Sequence, residues 1–318
     1  MPSSIFNFDE DERMKVFFKK IGLFAFIFLI LLAPLNQWMG KEYYPHYPLQ
    51  YGEVFHPKVN ASVVILGASQ ATHGINPKYL ETDQLKIFNF ALNGASPEFN
   101  LRWYQKIFRH YYPKPRYLIY AVHWGMFDDQ ILKRKLDQDS RYFPHAFLVK
   151  EFKNYENIKG LLFNRFAFIR ERKRFLLRLF KKTSREVFLL SEYYNGFIPY
   201  ETERALGQED TVYPKMNPNQ IQAFLELLNE LERDQVKIIF IQVPRYHPGY
   251  DYDKISNHIR FLKEIAKKRD IPFFDYDTER ASAINYESRF FSDPSHLNKT
   301  GSDAFSKLLK KDLEGFFI

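Results

Sequence analysis

Beyond residue 60 the chain alternates between two hydrophobic patterns. Short, mostly apolar runs recur at Val63–Leu66 (VVIL), Lys86–Asn89 (KIFN), Arg116–Val122 (RYLIYAV), Val236–Val243 (VKIIFIQV) and Pro272–Asp275 (PFFD). A run with no polar face of its own is a strand covered on both sides, as in a parallel sheet. Between these runs lie stretches that predict helices over about Pro97–Tyr112, Asn217–Asp234, Asp253–Arg269 and Lys299–Leu313, with another starting near Pro77. Asn76 before Pro77 reads as a cap followed by the first helical residue, and Pro97 suits the same first-turn position. Strands alternating with helices predict an α/β fold built on a doubly wound parallel sheet.

Three stretches fall outside that rhythm. Ile21–Leu35 holds 15 uncharged residues, and the run reaches 20 when counted from Val16 across Lys19 and Lys20. About 20 residues span the hydrocarbon of a bilayer. The two lysines can snorkel to one interface and Trp38 suits the other. A cleaved signal peptide has a similar apolar core, but Pro34 sits where a small-x-small cleavage site would lie. A single-pass signal anchor in contact with lipid through residues 16–38 is therefore expected. Arg13, Lys15, Lys19 and Lys20 precede it and only Lys41 follows closely. That asymmetry puts the amino terminus in the cytoplasm and the rest of the chain outside the inner (cytoplasmic) membrane, in the periplasm or extracellular space. Residues 41–60, rich in Tyr, Pro and His, read as a linker. Residues 61–318 then form the α/β domain, interrupted at about 130–215 by a segment with no recognisable strand–helix unit, read as a mostly helical insertion.

Charge singles out that insertion. The net charge of +8 resides between Lys150 and Glu186, where 12 Lys and Arg face 4 Glu; the rest of the chain is balanced. Phe163, Phe166, Phe168, Phe175, Leu176, Leu179 and Phe180 interleave with the cations. A solvated helical face, an interfacial helix on anionic lipid or polymer, and a nucleic-acid surface all fit such a segment. A location outside the cytoplasm favours lipid or an anionic envelope polymer over nucleic acid. The absence of cysteine excludes disulfides, thiolate metal sites and a cysteine nucleophile.

Candidate chemistry enters at the turn after the first strand. Gly67 and Ala68 permit a tight turn that delivers Ser69 to the carboxyl end of the strand, where an open parallel sheet has its binding crevice. A plain strand-to-helix turn, with the serine bonding its own backbone, fits the same residues. The segment Asp293-Pro294-Ser295-His296-Leu297-Asn298, just before the last helix, supplies what a serine nucleophile requires: a base, and a carboxylate to fix its tautomer. A spacing of three lets Asp293 reach the Nδ1 side of His296 while Nε2 faces Ser69. A capping aspartate beside a solvated histidine is the alternative.

Gly67-Ala68-Ser69 after the first strand, Asn93-Gly94 after the second and Asp293-x-x-His296 before the last helix resemble the SGNH (GDSL-type) hydrolase superfamily over about residues 60–129 and 217–313. The chain is similar in particular to its membrane-anchored members, of the D-alanyl-transfer and alginate O-acetylation type. The resemblance implies a three-layer, flavodoxin-like fold with Ser69 as nucleophile, His296 as base and Asp293 as its orienter. It also implies an oxyanion hole from the backbone N–H groups of Ser69 and Gly94, and no cofactor. Two blocks depart from the family pattern. Ala68 stands where the first block usually has Asp, and His123-Trp124-Gly125-Met126-Phe127-Asp128 stands where the third has Gly-x-Asn-Asp. With no asparagine there, His123 or the Trp124 indole could substitute, or the chain is catalytically silent.

Asn93, His123, Trp124 and Arg245 are candidate substrate contacts; for Arg245 and His247 a surface turn built on Pro244 and Pro248 fits equally well. Gly-Ala-Ser-Gln-Ala around Ser69 lacks the second glycine of the G-x-S-x-G elbow, and no G-x-G-x-x-G, P-loop or H-E-x-x-H occurs. Asp128-Asp129 reads as solvated or capping, and no metal site is expected. The function expected is an anchored serine esterase or O-acyltransferase acting on acylated cell-envelope glycans. The alternative is a non-catalytic binding or assembly partner of a membrane acyltransferase on the same fold.

Overall fold

The computed structural model describes residues 8–43, 59–129, 194–200, 206 and 214–317. In chain order, α1 (Phe8–Tyr43) precedes β1 (Val63–Leu66), and α2 (Ser69–Gly74) and α3 (Pro77–Leu80) lead to β2 (Ile87–Asn89). Next come α4 (Pro97–Trp103), which runs on through a π turn at Tyr104–Phe108 and a last turn at Arg109–Tyr111, and β3 (Tyr117–Ala121). After these, α5 (Pro218–Arg233), β4 (Lys237–Gln242), α6 (Ser256–Lys268) and β5 (Phe273–Asp275) follow. The chain ends with α7 (Ser282–Asn285), the short strands β6 (Phe291–Asp293) and β7 (His296–Leu297), and α8 (Lys299–Leu313).

The five long strands form one parallel sheet in the order β2-β1-β3-β4-β5. This is the flavodoxin-like order, in which chain direction across the sheet reverses between β1 and β3 and leaves a crevice there. All five expected strands are present, β1 with the expected bounds and the other four shorter by a residue at one or both ends. Their apolar runs point alternately to two cores. Val64, Leu66, Leu118, Tyr120 and Phe240 pack against α4, α5 and α6. Val63, Ile65, Ile119, Ile239 and Ile241 pack against α2, α3, α7 and α8. The sheet is thus the middle of three layers.

Local chemistry sets the helix starts. Asn76, Ser96, Asn217 and Asn298 each accept a hydrogen bond from a first-turn N–H, and three of the four are followed by proline. Two expectations shift. The helix expected from Asp253 starts at Ser256, after a 3₁₀ turn at Tyr252–Lys254, and α2 begins directly at Ser69, ahead of the helix expected near Pro77.

Among the described residues α1 is long and apolar enough to cross a membrane, over Glu12–Trp38, with Phe24 and Leu31 well exposed. It continues to Tyr43, so the expected linker does not begin at residue 41. Residues 44–58, and the insertion's 130–193 with its basic segment 150–186, lie outside the described residues. Residues 194–200 were expected inside a mostly helical insertion but hold a tight turn at Asn195-Gly196, both at positive φ, with Tyr194 and Phe197 bridged across it. The Asn89 N–H donates to the Asn195 carbonyl at 2.9 Å, and Tyr200 pairs with Asn298.

Geometry demands glycine at Gly67, Gly196 and Gly301, and at Gly196, with φ +87°, a Cβ would come within 1.9 Å of the Asn89 carbonyl. Gly67 has φ +149°, and a Cβ there would meet the Ala121 Cβ and carbonyl at 3.0 Å. At Gly301, in the first turn of α8, a Cβ would come within 2.0 Å of the Phe290 carbonyl. Gly301→Ala is therefore expected to destabilise the fold by about 1–3 kcal/mol through overpacking, read as a lower urea midpoint at unchanged slope.

Candidate active site

Each half of the site is held by backbone. β1 ends at Leu66, Gly67 turns the chain, and the Ala68 carbonyl accepts from the N–H groups of Ala71 and Thr72, both at 3.1 Å, and from Thr72 Oγ1 at 3.2 Å. These bonds close the first turn of α2 and leave Ser69 at its start, partly exposed. Asn89, buried at the end of β2, clamps the far end of α2. Its Nδ2 donates to the carbonyls of Ala71 (2.8 Å) and Ile75 (3.0 Å), while its Oδ1 accepts from the Ala91 N–H (3.0 Å).

The other half is an antiparallel hairpin that the sequence did not predict. β6 and β7 pair so that Asp293 lies across from His296 around Pro294-Ser295. The Ser295 N–H donates to Asp293 Oδ1 at 2.9 Å, which fixes the carboxylate. His296 Nδ1 lies 2.8 Å from Asp293 Oδ1 and 3.0 Å from Oδ2. A carboxylate can only accept, so Nδ1 donates and, in the neutral ring, Nε2 is left as the acceptor. Nε2 stands 2.8 Å from Ser69 Oγ. Ser69, His296 and Asp293 therefore meet as a hydrogen-bonded relay that can take the serine proton when the hydroxyl attacks.

The remaining expected residues divide. The Leu92 N–H donates to the Gly67 carbonyl at 3.2 Å, which draws the Asn93-Gly94 loop beside the serine turn. Gly94 has φ +73°, and neither its N–H nor that of Ser69 donates to a described group. Asn93 is partly buried, its Oδ1 without a partner among the described residues. His123 is buried, and its Nδ1 accepts from the Gly125 N–H at 3.2 Å. Burial first, then the charges of Arg245 and His296, push its pKa down to about 3. Trp124 is partly exposed, with the Arg245 guanidinium 5.3 Å from its ring.

Arg245 is not placed to contact a substrate. It is completely buried and paired with the equally buried Asp277, and its guanidinium also lies 4.8 Å from the Tyr250 ring. Burial opposes its charge, but the Asp277 carboxylate together with its polar surroundings holds Arg245 above the ordinary arginine value. Tyr252 Oη and Gln242 Nε2 complete the shell of Asp277, each donating at 2.9 Å. His247 turns to the Tyr286 hydroxyl at 3.0 Å and to the Asp277 carbonyl, so the loop after β4 is a structural strut. Asp128 and Asp129 are not caps but hold the chain just ahead of α5: the buried Asp128 accepts from the Lys215 N–H at 2.6 Å and Asp129 from Gln220 Nε2 at 2.7 Å. Among the described residues no group of three or more potential metal ligands occurs.

Two neighbours of His296 were missed. Its ring centroid lies 5.2 Å from that of Tyr200 and 6.2 Å from that of His73, whose Nδ1 donates to the Ile198 carbonyl at 2.6 Å. His73 sits four residues after Ser69, one helical turn, so a signal for it existed. Nothing marked Tyr200, which lies in the expected insertion.

No protein-family model matches the chain, and no curated protein matches it by sequence. Solved structures similar to it include a GDSL-like lipase from Bacteroides thetaiotaomicron (12% identity, 80% of this chain and 87% of that one, TM-score 0.39). Others are the lipase/acylhydrolase from Enterococcus faecalis (11%, 80% and 95%, TM-score 0.38) and the psychrotrophic esterase EstA from Pseudoalteromonas sp. (8%, 80% and 97%, TM-score 0.40).

The buried pair behind the site makes a stability prediction. Arg245→Met leaves Asp277 charged and uncompensated and should cost about 3–5 kcal/mol. Adding Asp277→Leu should recover part of that loss, because the two changes are coupled. Chemical denaturation of the two single variants and the double variant measures the coupling.

Proposed function

We propose that this chain is a serine esterase or O-acyltransferase of the SGNH type, held at a membrane by α1 and acting on acyl esters of cell-envelope glycans. The observation that carries the reading is the continuous relay from Ser69 Oγ through His296 to Asp293. Ser69 Oγ attacks the acyl carbonyl and its proton passes to His296 Nε2. The carbonyl electron pair moves onto oxygen, where the N–H groups of Ser69 and Gly94 receive the charge. Collapse breaks the ester bond, and the departing alkoxide takes the proton back from His296. Water or a sugar hydroxyl then removes the acyl group from Ser69 by the same steps in reverse, so one intermediate serves hydrolysis and transfer alike.

A second reading, a non-catalytic binding or assembly partner of a membrane acyltransferase, is favoured by one observation. No asparagine stands at the end of β3, where His123-Trp124-Gly125 is found. In both readings α1 crosses the inner membrane with its amino terminus in the cytoplasm and the α/β domain outside, and the basic segment 150–186 lies on anionic lipid or polymer.

With p-nitrophenyl acetate as substrate, Ser69→Ala and His296→Ala should each lower kcat by up to the order of 10⁶-fold, since members of one relay are not additive. Asp293→Asn should cost less, on the order of 10⁴-fold, because it disturbs the tautomer and leaves the base. Ser69→Ala activity equal to that of the wild type would remove the nucleophile; a wild type inert on every acyl ester yet able to bind glycan would favour the second reading. For topology, protease added to intact spheroplasts should digest the α/β domain. Digestion only after permeabilisation would reverse the orientation.

A further inference from the structure

We infer that Tyr250 is a positioning residue for the acyl-serine reaction: its hydroxyl, bonded to Ser295 Oγ, holds the turn that aligns Asp293 with His296. The inference deepens the acyl-serine reading and rests on it.

The hairpin cannot supply that alignment itself. β6 and β7 hold three and two residues and lie apart from the five-stranded sheet. A two-stranded ribbon is marginal on its own, so what it docks on imposes its shape. Phe291 and Leu297, paired across its base, are anchored in the core shared with α2 and α8. The tip has a different support. Asp293, Ser295 and His296 are each partly exposed, and both residues of the turn, Pro294 and Ser295, are tied to the loop after β4. The Tyr246 N–H donates to the Pro294 carbonyl at 3.0 Å, and the hydroxyls of Tyr250 and Ser295 share a hydrogen bond. What these bonds fix is the direction of the Ser295 N–H. It donates to Asp293 Oδ1 at 2.9 Å, the same oxygen that accepts from His296 Nδ1 at 2.8 Å. Rotation of Ser295 would withdraw a donor from the oxygen that orients the base.

The far side of Tyr250 explains why that loop can serve as a brace. The loop begins at Arg245, whose guanidinium is buried against Asp277 and lies 4.8 Å from the centroid of the Tyr250 ring. The Trp124 ring stands edge-on to the same ring at 6.1 Å. Backbone bonds hold the phenol from behind: the Tyr250 N–H donates to the His247 carbonyl at 3.0 Å. Two residues later Tyr252 Oη donates to Asp277 at 2.9 Å, which returns the chain to the buried pair. The Tyr250 hydroxyl is thus a point where a fixed interior meets the catalytic turn. A buried ion pair adds little net stability, since apolar residues of similar volume often do as well or better. Here the pair provides a ring held in one place, and through that ring a fixed direction for the Asp293 carboxylate.

The test uses the full-length protein in detergent with p-nitrophenyl acetate. Tyr250→Phe removes one hydroxyl and keeps the ring on Arg245; Ser295→Ala removes its partner. Each should lower kcat by about 10- to 100-fold with KM little changed, the effect of a misplacement of up to about 1 Å. The double variant should lie within about twofold of the slower single variant, because one bond can be lost only once. A second readout needs no turnover: the downfield proton resonance of His296 Nδ1–H in histidine-labelled protein, assigned by its loss in His296→Ala. It should move upfield in both variants as the bond to Asp293 loosens. A tyrosine that merely stabilised its loop would lower the urea midpoint and leave this resonance in place. Overturning results are a Tyr250→Phe kcat within about twofold of wild type, a loss confined to KM, losses that multiply in the double variant, or an unmoved resonance. If Tyr250→Phe fails to fold, Ser295→Ala decides alone by the same kcat and resonance criteria. Unchanged kcat and resonance in Tyr250→Phe beside a dead Ser69→Ala sink this inference alone. A wild type inert on esters sinks the acyl-serine reading; a shifted resonance then still upholds Tyr250 as the residue that aligns Asp293 with His296, and an unmoved one overturns it.

Discussion

The hydrogen bond between Ser69 Oγ and His296 Nε2 joins residues 227 positions apart, and the fold around it can be understood as what that bond requires. Its two ends belong to different supports. The serine end depends on β1 stopping at Leu66, on a glycine that can take φ +149° against Ala121, and on Asn89 anchoring α2 from the next strand. The histidine end depends on a two-residue hairpin turn and on α8 docking with no Cβ at Gly301. Both supports press on one core, where Ala71 and Ile75 of the serine side meet Leu297 and Phe305 of the histidine side. Apolar packing thereby sets a polar distance, and a close-packed interior transmits a misfit at one support to the other.

Much of this was legible in the sequence because the parallel sheet writes itself as unbroken apolar runs, and its carboxyl ends are where Ser69 and the Asp293–His296 pair fall. Elements shorter than two full periods, outside those runs, were not. β6 and β7 hold three and two residues, and α2 six, so no periodicity could announce them. The Asp293–His296 spacing was legible as chemistry although the hairpin that makes it work was not. Residues 194–200 lack a repeating pattern, and their turn and bridges are held by Asn89 and Asn298, which lie far away in sequence.

Arg245 shows a different limit. A cation just past a strand at the binding edge reads as a substrate contact, and its sequence neighbours say nothing against that. What decides its role is Asp277, 32 residues later at the end of the adjacent strand, with Tyr252 and Gln242 completing the shell. Once the carboxylate is buried beside it, the guanidinium stabilises the loop after β4 and is withdrawn from the chemistry. Partner choice in three dimensions, which one sequence does not contain, determines whether a charge is functional or structural.

That withdrawal bears on the balance of charge around His296. On the proposed acyl-serine reading His296 becomes an imidazolium when Ser69 attacks, and a second cation close to it would oppose the change. A charged group at the end of β3 would weaken His296 as a base. A neutral imidazole avoids the conflict. Burial, Arg245 and His296 all keep His123 uncharged, and the Gly125 N–H determines which of its nitrogens holds the proton. The positive charge of Arg245 is in turn matched by Asp277, so little unbalanced charge is left to compete with the one created during the reaction. The arrangement favours the transition state over the ground state because its fixed dipoles already point where charge will develop, while the only full charge that changes there is the one shared between His296 and Asp293.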